Sequence, residues 1–201
     1  MMLKRLFDVF FAFILLLVAS PLLLFVFLVS TWDTHSCGLF VQPRLGRYAQ
    51  PFRIYKIKTV HDRTRHISPW GRFLRRSKLD ELPQLFNILR GDMSFVGPRP
   101  DLPGYADHLP PEDRFFLRLR PGLTGLASLH FRREETLLAA QPDPSTYNDT
   151  VLWPAKVRLN TWYAHHRSFA LDLSLLAYTF LPFLPFPTEE WMKKWERGGS
   201  S

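Results

Sequence analysis

The sequence predicts a predominantly helical α+β protein, a single domain led by an apolar membrane helix. Three observations carry that reading. From Val9 to Trp32 no residue is charged, a run of 24, and about 20 apolar residues span a bilayer core. From Leu79 to Leu89 the apolar residues Leu79, Leu82, Leu85, Phe86 and Leu89 recur at helical spacing behind an acid pair, Asp80-Glu81. Phe52 to Thr59 is β-branched, aromatic and alternating, as a strand would be.

The opening run has Lys4 and Arg5 before it and Arg44, Arg47, Arg53, Lys56 and Lys58 after it. Positive charge at both ends favours the cytoplasm at both ends. Ser20-Pro21 sits mid-run, where proline removes a helical hydrogen bond. A kinked span and a helix-break-helix hairpin that returns to the same face both fit these residues. The length of the run and the absence of a small-residue cleavage site weigh against a signal peptide.

Thr31 to Gly46 reads as a connector, with Asp33, Gly38, Pro43 and Gly46 as turn residues. In the strand that follows, Lys56 and Lys58 share one face, about 7 Å apart. One reading is that they are charges that keep an exposed edge strand soluble. His61 to Ser68 is a polar loop. Trp70 to Arg76 predicts a short amphipathic helix, with Arg72, Arg75, Arg76 and then Lys78 leading to the acids.

Asp80 falls at a helix N-terminus, either paired with Ser77 in a capping box or as the cap itself, with Pro83 in the first turn. The partial positive charge there and the nearby arginines favour an ionised carboxylate. Taken alone, the pattern reads as a plain cap. Gly91 predicts the helix end, and Gly97-Pro98-Arg99-Pro100 a stiff turn presenting one arginine. Beyond it come a loop and helix over Asp101 to Arg120, a tight turn from Arg120 to Gly125, and a helix from Arg132 to Ala140. Helices are also predicted over Val151 to His166 and Ser168 to Leu181. The Trp191 to Trp195 segment mixes aromatics with lysines, as an interfacial segment does, and a loose tail closes the chain.

The net charge of +8 and pI of about 9.9 suit anionic partners. Basic residues cluster around acids instead of forming a continuous stripe, which argues against nucleic acid. The single cysteine, Cys37, rules out an internal disulfide and disfavours a thiolate zinc site. No glycine-rich phosphate loop, dinucleotide fingerprint or serine elbow is present. A non-catalytic membrane-tethered basic protein is compatible with the charge and the anchor, but leaves Asp80-Glu81 and the Pro-Arg-Pro turn without a role. A multi-span sugar-phosphate transferase would need more than one long apolar run.

Together the motifs are more specific than any one of them. The chain resembles the small monotopic bacterial phosphoglycosyl transferases, the polyprenyl-phosphate sugar-1-phosphate transferases. The resemblance rests on the run broken at Ser20-Pro21, on Phe52 to Thr59, on Leu79-Asp80-Glu81-Leu82-Pro83-Gln84-Leu85-Phe86-Asn87 and on Gly91 to Pro100. Arg120 to Gly125, Tyr163, Ser168 and Leu171-Asp172 complete it.

This resemblance implies a re-entrant membrane hairpin over residues 1–32, with its break at Ser20 and Pro21. It implies a cytoplasmic catalytic domain over 33–187 at the inner face of the bacterial plasma membrane, and an interfacial or loose tail over 188–201. It implies a nucleoside-diphosphate sugar, usually of uridine, as donor and polyprenyl phosphate as acceptor. Membrane lipids are further partners, and a homodimer is compatible with the sequence. Asp80 would be the nucleophile and a ligand of Mg²⁺. Glu81 would help position the metal or take the acceptor's proton. Arg75, Arg99 and Lys58 would hold phosphate. Val60, Leu126 and His130-Phe131-Arg132 depart from the family pattern, so sugar specificity does not transfer.

Overall fold

The computed structural model describes residues 2–181, which form mostly helix with two small sheets. The expected Trp191 to Trp195 segment and closing tail lie outside the described residues. The described residues cluster into two compact units, one of residues 2–46 with Gln50–Ser94, the other of Arg47–Ala49 with residues 95–181.

The first unit begins with helix α1 (Met2–Thr34), which is helical through Pro21. Proline at 21 removes the donor that would bond the Leu17 carbonyl, and the Ser20 hydroxyl donates to that carbonyl at 2.8 Å instead. The Ser-Pro step is therefore accommodated within one helix. Asp8 and Ala12 near one end, and Val26, Ser30 and Thr34 near the other, are buried, while Phe13, Leu15, Leu17, Val18, Leu22 and Leu24 are exposed.

The connector expected over Thr31 to Gly46 contains a strand. β1 (Leu39–Leu45) pairs antiparallel with β2 (Pro51–Ile57), Leu39 opposite Ile57 and Leu45 opposite Pro51. Pro43, Gly38 and Gly46 read as turn residues, but a two-stranded ribbon tolerates proline on its free edge. α2 (Pro69–Ser77) starts at Ser68, whose hydroxyl accepts from Gly71 N at 2.9 Å and donates to Asp33 Oδ2 at 2.7 Å. A small core of Val26, Ile57 and Leu74 joins α1, β2 and α2.

The helix expected from Leu79 is divided. Lys78 takes a left-handed conformation (φ 60°, ψ 15°), a 3₁₀ turn covers Leu79–Glu81, and α3 spans Gln84–Arg90 after Pro83. Gly91 ends α3 at φ 94°, as expected. Arg5 of α1 donates to the last carbonyls of α3, to Ile88 O at 2.6 Å and Leu89 O at 3.0 Å.

In the second unit β3 (Ser94–Val96) pairs with β4 (Gly122–Thr124). The turn expected from Arg120 to Gly125 is this strand. Gly97 N donates to Thr124 O at 2.9 Å and Gly122 N to Pro98 O at 2.8 Å. A Cβ at Gly97, Gly122 or Gly125 would collide with facing backbone, so these glycines permit the close approach. The loop and helix expected over Asp101 to Arg120 form 3₁₀ helices over Ala106–His108 and Pro111–Arg118, and α-helices follow as α4 (Leu126–His130), α5 (Glu134–Ala139), α6 (Pro144–Tyr147), α7 (Trp153–His166) and α8 (Phe169–Phe180), with a π turn over Asn148–Leu152. Tyr163 of α7 donates its hydroxyl to Asp172 of α8 at 2.5 Å, and Thr124 bonds Thr179 at 2.8 Å.

Candidate active site

The block from Lys78 to Ser94 builds the candidate site in the first unit. The 3₁₀ turn after Lys78 carries Asp80 and Glu81, and both are buried. The tight turn follows from Pro83, which lacks a donor and opens α3, so the acids sit one step outside the regular helix.

Neither capping scheme is realised. Ser77 Oγ bonds back to Phe73 O at 2.8 Å, and Asp80 Oδ1 is buried without a hydrogen-bond partner. The electrostatics also differ from expectation. Desolvation raises the Asp80 pKa above its ordinary value of 3.8, and the neighbouring Glu81 carboxylate raises it further. Lys56, Lys78 and Arg75 pull the other way without overcoming burial. Helix polarity and arginines were legible in the sequence; the burial that outweighs them was not.

Glu81 is held by Lys56, whose Nζ donates to Oε1 at 2.9 Å from strand β2. Lys56 therefore has a structural partner at the site. Its neighbour Lys58 pairs with Asp62 at 2.6 Å. Arg75 is exposed on α2, and its Nε donates to Thr59 Oγ1 at 2.9 Å. Arg99 is exposed between the buried Pro98 and Pro100 in the second unit. The structure thus brings Asp80, Glu81, Lys56 and Arg75 into one electrostatic neighbourhood, with Lys58 engaged by Asp62.

Sequence reading passed over two further residues. Asn87 is fully buried and ties α3 to β2, donating to Arg53 O at 2.7 Å and accepting from Tyr55 N at 3.2 Å. Gln84 is buried at 3% exposure. The signal available was a pair of amides inside an otherwise apolar helix. Besides Asp80 Oδ1, two other buried atoms of the block, Gln84 Nε2 and Ser94 Oγ, have no hydrogen-bond partner.

An apolar cavity of about 440 Å³ adjoins these elements, with Leu23 and Phe27 of α1, Tyr55 and Ile57 of β2, and Pro83 and Phe86 among its walls. Tyr55 and Ile57 flank Lys56 in sequence, and Pro83 stands two residues after Glu81. Side chains alternate along β2, so Tyr55 and Ile57 face the cavity while Lys56 faces Glu81 from the other side of the strand.

The model of the bacterial sugar transferases matches residues 1–185. The chain belongs to the bacterial sugar transferase family. It is 34% identical over 189 residues to the uncharacterized sugar transferase EpsL of Bacillus subtilis, covering 89% of this chain and 86% of EpsL. It is 33% identical over 196 residues to the exopolysaccharide production protein PSS of Rhizobium leguminosarum bv. phaseoli, covering 88% of this chain and 92% of PSS. A UDP-glucose:undecaprenyl-phosphate glucose-1-phosphate transferase of Caulobacter vibrioides is 39% identical over 148 residues, 66% of this chain and 55% of that protein. This bacterial sugar transferase therefore spans nearly all of EpsL and PSS but about half of the Caulobacter relative.

Proposed function

We propose that this chain transfers a sugar-1-phosphate from a UDP-sugar to undecaprenyl phosphate or a similar polyprenyl phosphate, at the cytoplasmic face of the bacterial plasma membrane, beginning a glycan such as an exopolysaccharide. The single observation that carries the reading is the buried Asp80 carboxylate, one oxygen without a partner, beside a lysine-braced Glu81 in a bacterial sugar transferase. Relatives named for UDP-glucose and undecaprenyl phosphate, or for undecaprenyl phosphate and galactose, support the substrate classes.

In this reading an Asp80 oxygen attacks the β-phosphorus of the donor. The bond from that phosphorus to the bridging oxygen breaks, and UMP leaves with the electron pair. The phosphosugar stays on Asp80 as an acyl phosphate. An oxygen of polyprenyl phosphate then attacks the same phosphorus, the carboxylate leaves, and polyprenyl-diphospho-sugar forms. Two displacements through a covalent intermediate replace one between two anions. In this reading Glu81, held by Lys56, takes the acceptor's proton. Arg75, and Arg99 from its turn, suit phosphate oxygens as forked donors.

An adjacent pair of carboxylates with an unpartnered oxygen fits a hard cation such as Mg²⁺, which binds through one or two carboxylates and substrate phosphates. Asp80 and Glu81 are the residues that would hold it, and a bound cation would neutralise phosphate charge.

The apolar cavity supports a lipid acceptor, its lining suiting isoprene units. The packing of α1 supports a re-entrant course. In a straight helix residues 5 and 23 stand about 27 Å apart along the axis. Yet Arg5 bonds the end of α3, and Leu23 shares a cavity with Pro83, Phe86 and Arg90 of that same short segment. This packing favours both ends of α1 on one side of a bilayer, with the exposed apolar middle inserted.

The deciding experiment measures UMP release from a panel of UDP-sugars with polyprenyl phosphate and Mg²⁺, for the wild type and Asp80→Asn. Release that disappears in the variant and on chelation is expected. Undiminished release from Asp80→Asn would refute the covalent role.

A further inference from the structure

Gln84 opens α3, four residues beyond Asp80 and three beyond Glu81 of the preceding 3₁₀ turn. Its side chain is buried, and Nε2 is closed off from solvent without a hydrogen-bond partner. Asp80 Oδ1 is in the same condition. A buried amide donor and a buried carboxylate acceptor are thus left open four residues apart in the chain. Unsatisfied buried polar groups are rare in folded proteins, and one waiting for a ligand is a recurring reason for them.

Two of the three cations that act on Asp80 are already engaged. Lys56 bonds Glu81, and Arg75 bonds Thr59. A lysine or arginine at 84 would pair with Asp80 and blunt it as a nucleophile. A neutral amide stabilises an anionic oxygen without that competition, since it donates but carries no charge.

We propose that Gln84 is a substrate-binding residue, its Nε2 donating to a non-bridging phosphate oxygen of the group that reacts at Asp80. The inference rests on the function proposed above and adds a residue to that site. The phosphate oxygen satisfies the open donor, and the amide fixes the rotation of the phosphoryl group relative to the Asp80 carboxylate.

Gln84→Met keeps the length and removes the donor. In the full-length protein, thermal midpoints are measured with and without UDP and Mg²⁺, alongside UMP release from the preferred UDP-sugar. With no ligand, the variant is expected to melt at or above the wild-type temperature, because the substitution removes a buried donor that had no partner. The rise in midpoint on adding UDP is expected to shrink, and UMP release to fall about 10- to 100-fold, the size of one hydrogen bond to a charged group. A variant that melts lower without ligand yet responds fully to UDP would make Gln84 a structural residue and overturn the proposal. So would wild-type UMP release. A wild type that neither responds to UDP nor releases UMP from any donor would instead overturn the functional reading, and this proposal with it.

Discussion

Lys56 Nζ stands 2.9 Å from Glu81 Oε1, so strand β2 fixes the second acid of the site from outside the turn that carries it. Both side chains are largely shielded from water. Lys56→Met is expected to lower stability by about 1.5–3 kcal/mol, the range for a hydrogen bond to a charged group. Lys56→Met combined with Glu81→Gln should recover much of that loss without recovering activity. Denaturant midpoints and UMP release on the two variants check both halves.

Asp80→Asn should stabilise the protein at neutral pH while abolishing turnover. The sign follows from the raised pKa. The folded state holds the Asp80 proton more tightly than the unfolded one, so stability falls as pH rises from the unfolded value through the folded one. Asparagine removes that penalty. The stability difference between variant and wild type should be largest at neutral pH and vanish below about 3.8, where both states are protonated. Thermal melts from pH 3 to 7.5 test this.

The same shift bears on catalysis. If the Asp80 carboxylate is the nucleophile, kcat/KM for the donor should fall on the acid side at a pH above the ordinary aspartate value. Lys78→Met removes one of the charges that oppose the shift and should move that limb further upward. Initial rates across pH for both proteins decide it.

Arg75 is exposed and bonds only a threonine hydroxyl among its described hydrogen bonds. Arg75→Gln should change stability by less than about 0.5 kcal/mol, as surface substitutions do. Donor turnover should nevertheless fall about tenfold or more if the guanidinium meets phosphate. An unchanged rate would remove Arg75 from the site.

Gly122→Ala should be far more damaging than its size suggests. A methyl there meets the backbone of Gly97 and Thr124, neither of which can rotate away. Overpacking of this kind costs about 1–3 kcal/mol, and soluble yield together with the thermal midpoint reads it.

Much of this was legible in the sequence. Periodicity gave β2, α2 and the two long helices of the second unit, and Gly91 marked a helix end through its missing Cβ. The acid pair stood out because two carboxylates rarely sit beside four basic residues without a purpose. β1 was hidden because Pro43, Gly38 and Gly46 are turn residues in isolation and lose that meaning only once β2 lies alongside. The Asp80 environment was hidden for a related reason. Sequence shows which charges are near along the chain, whereas burial depends on segments such as β2, whose Lys56 lies 25 residues before Glu81. Gln84 and Asn87 carried a weak signal, polar letters in an apolar stripe, whose meaning depends on whether each finds a partner.

The course of α1 has a consequence for how this protein can be handled. Because Arg5 closes the end of α3 and Val26, Ser30 and Thr34 are packed inside the first unit, this helix is part of the enzyme's masonry and no mere mooring line. Trimming it away would not liberate a water-soluble catalyst. It would strip the Ile88 and Leu89 carbonyls of their donor and open the Ile57–Leu74 core to solvent, so a preparation that keeps amphiphile around the whole chain is the one that keeps the site intact.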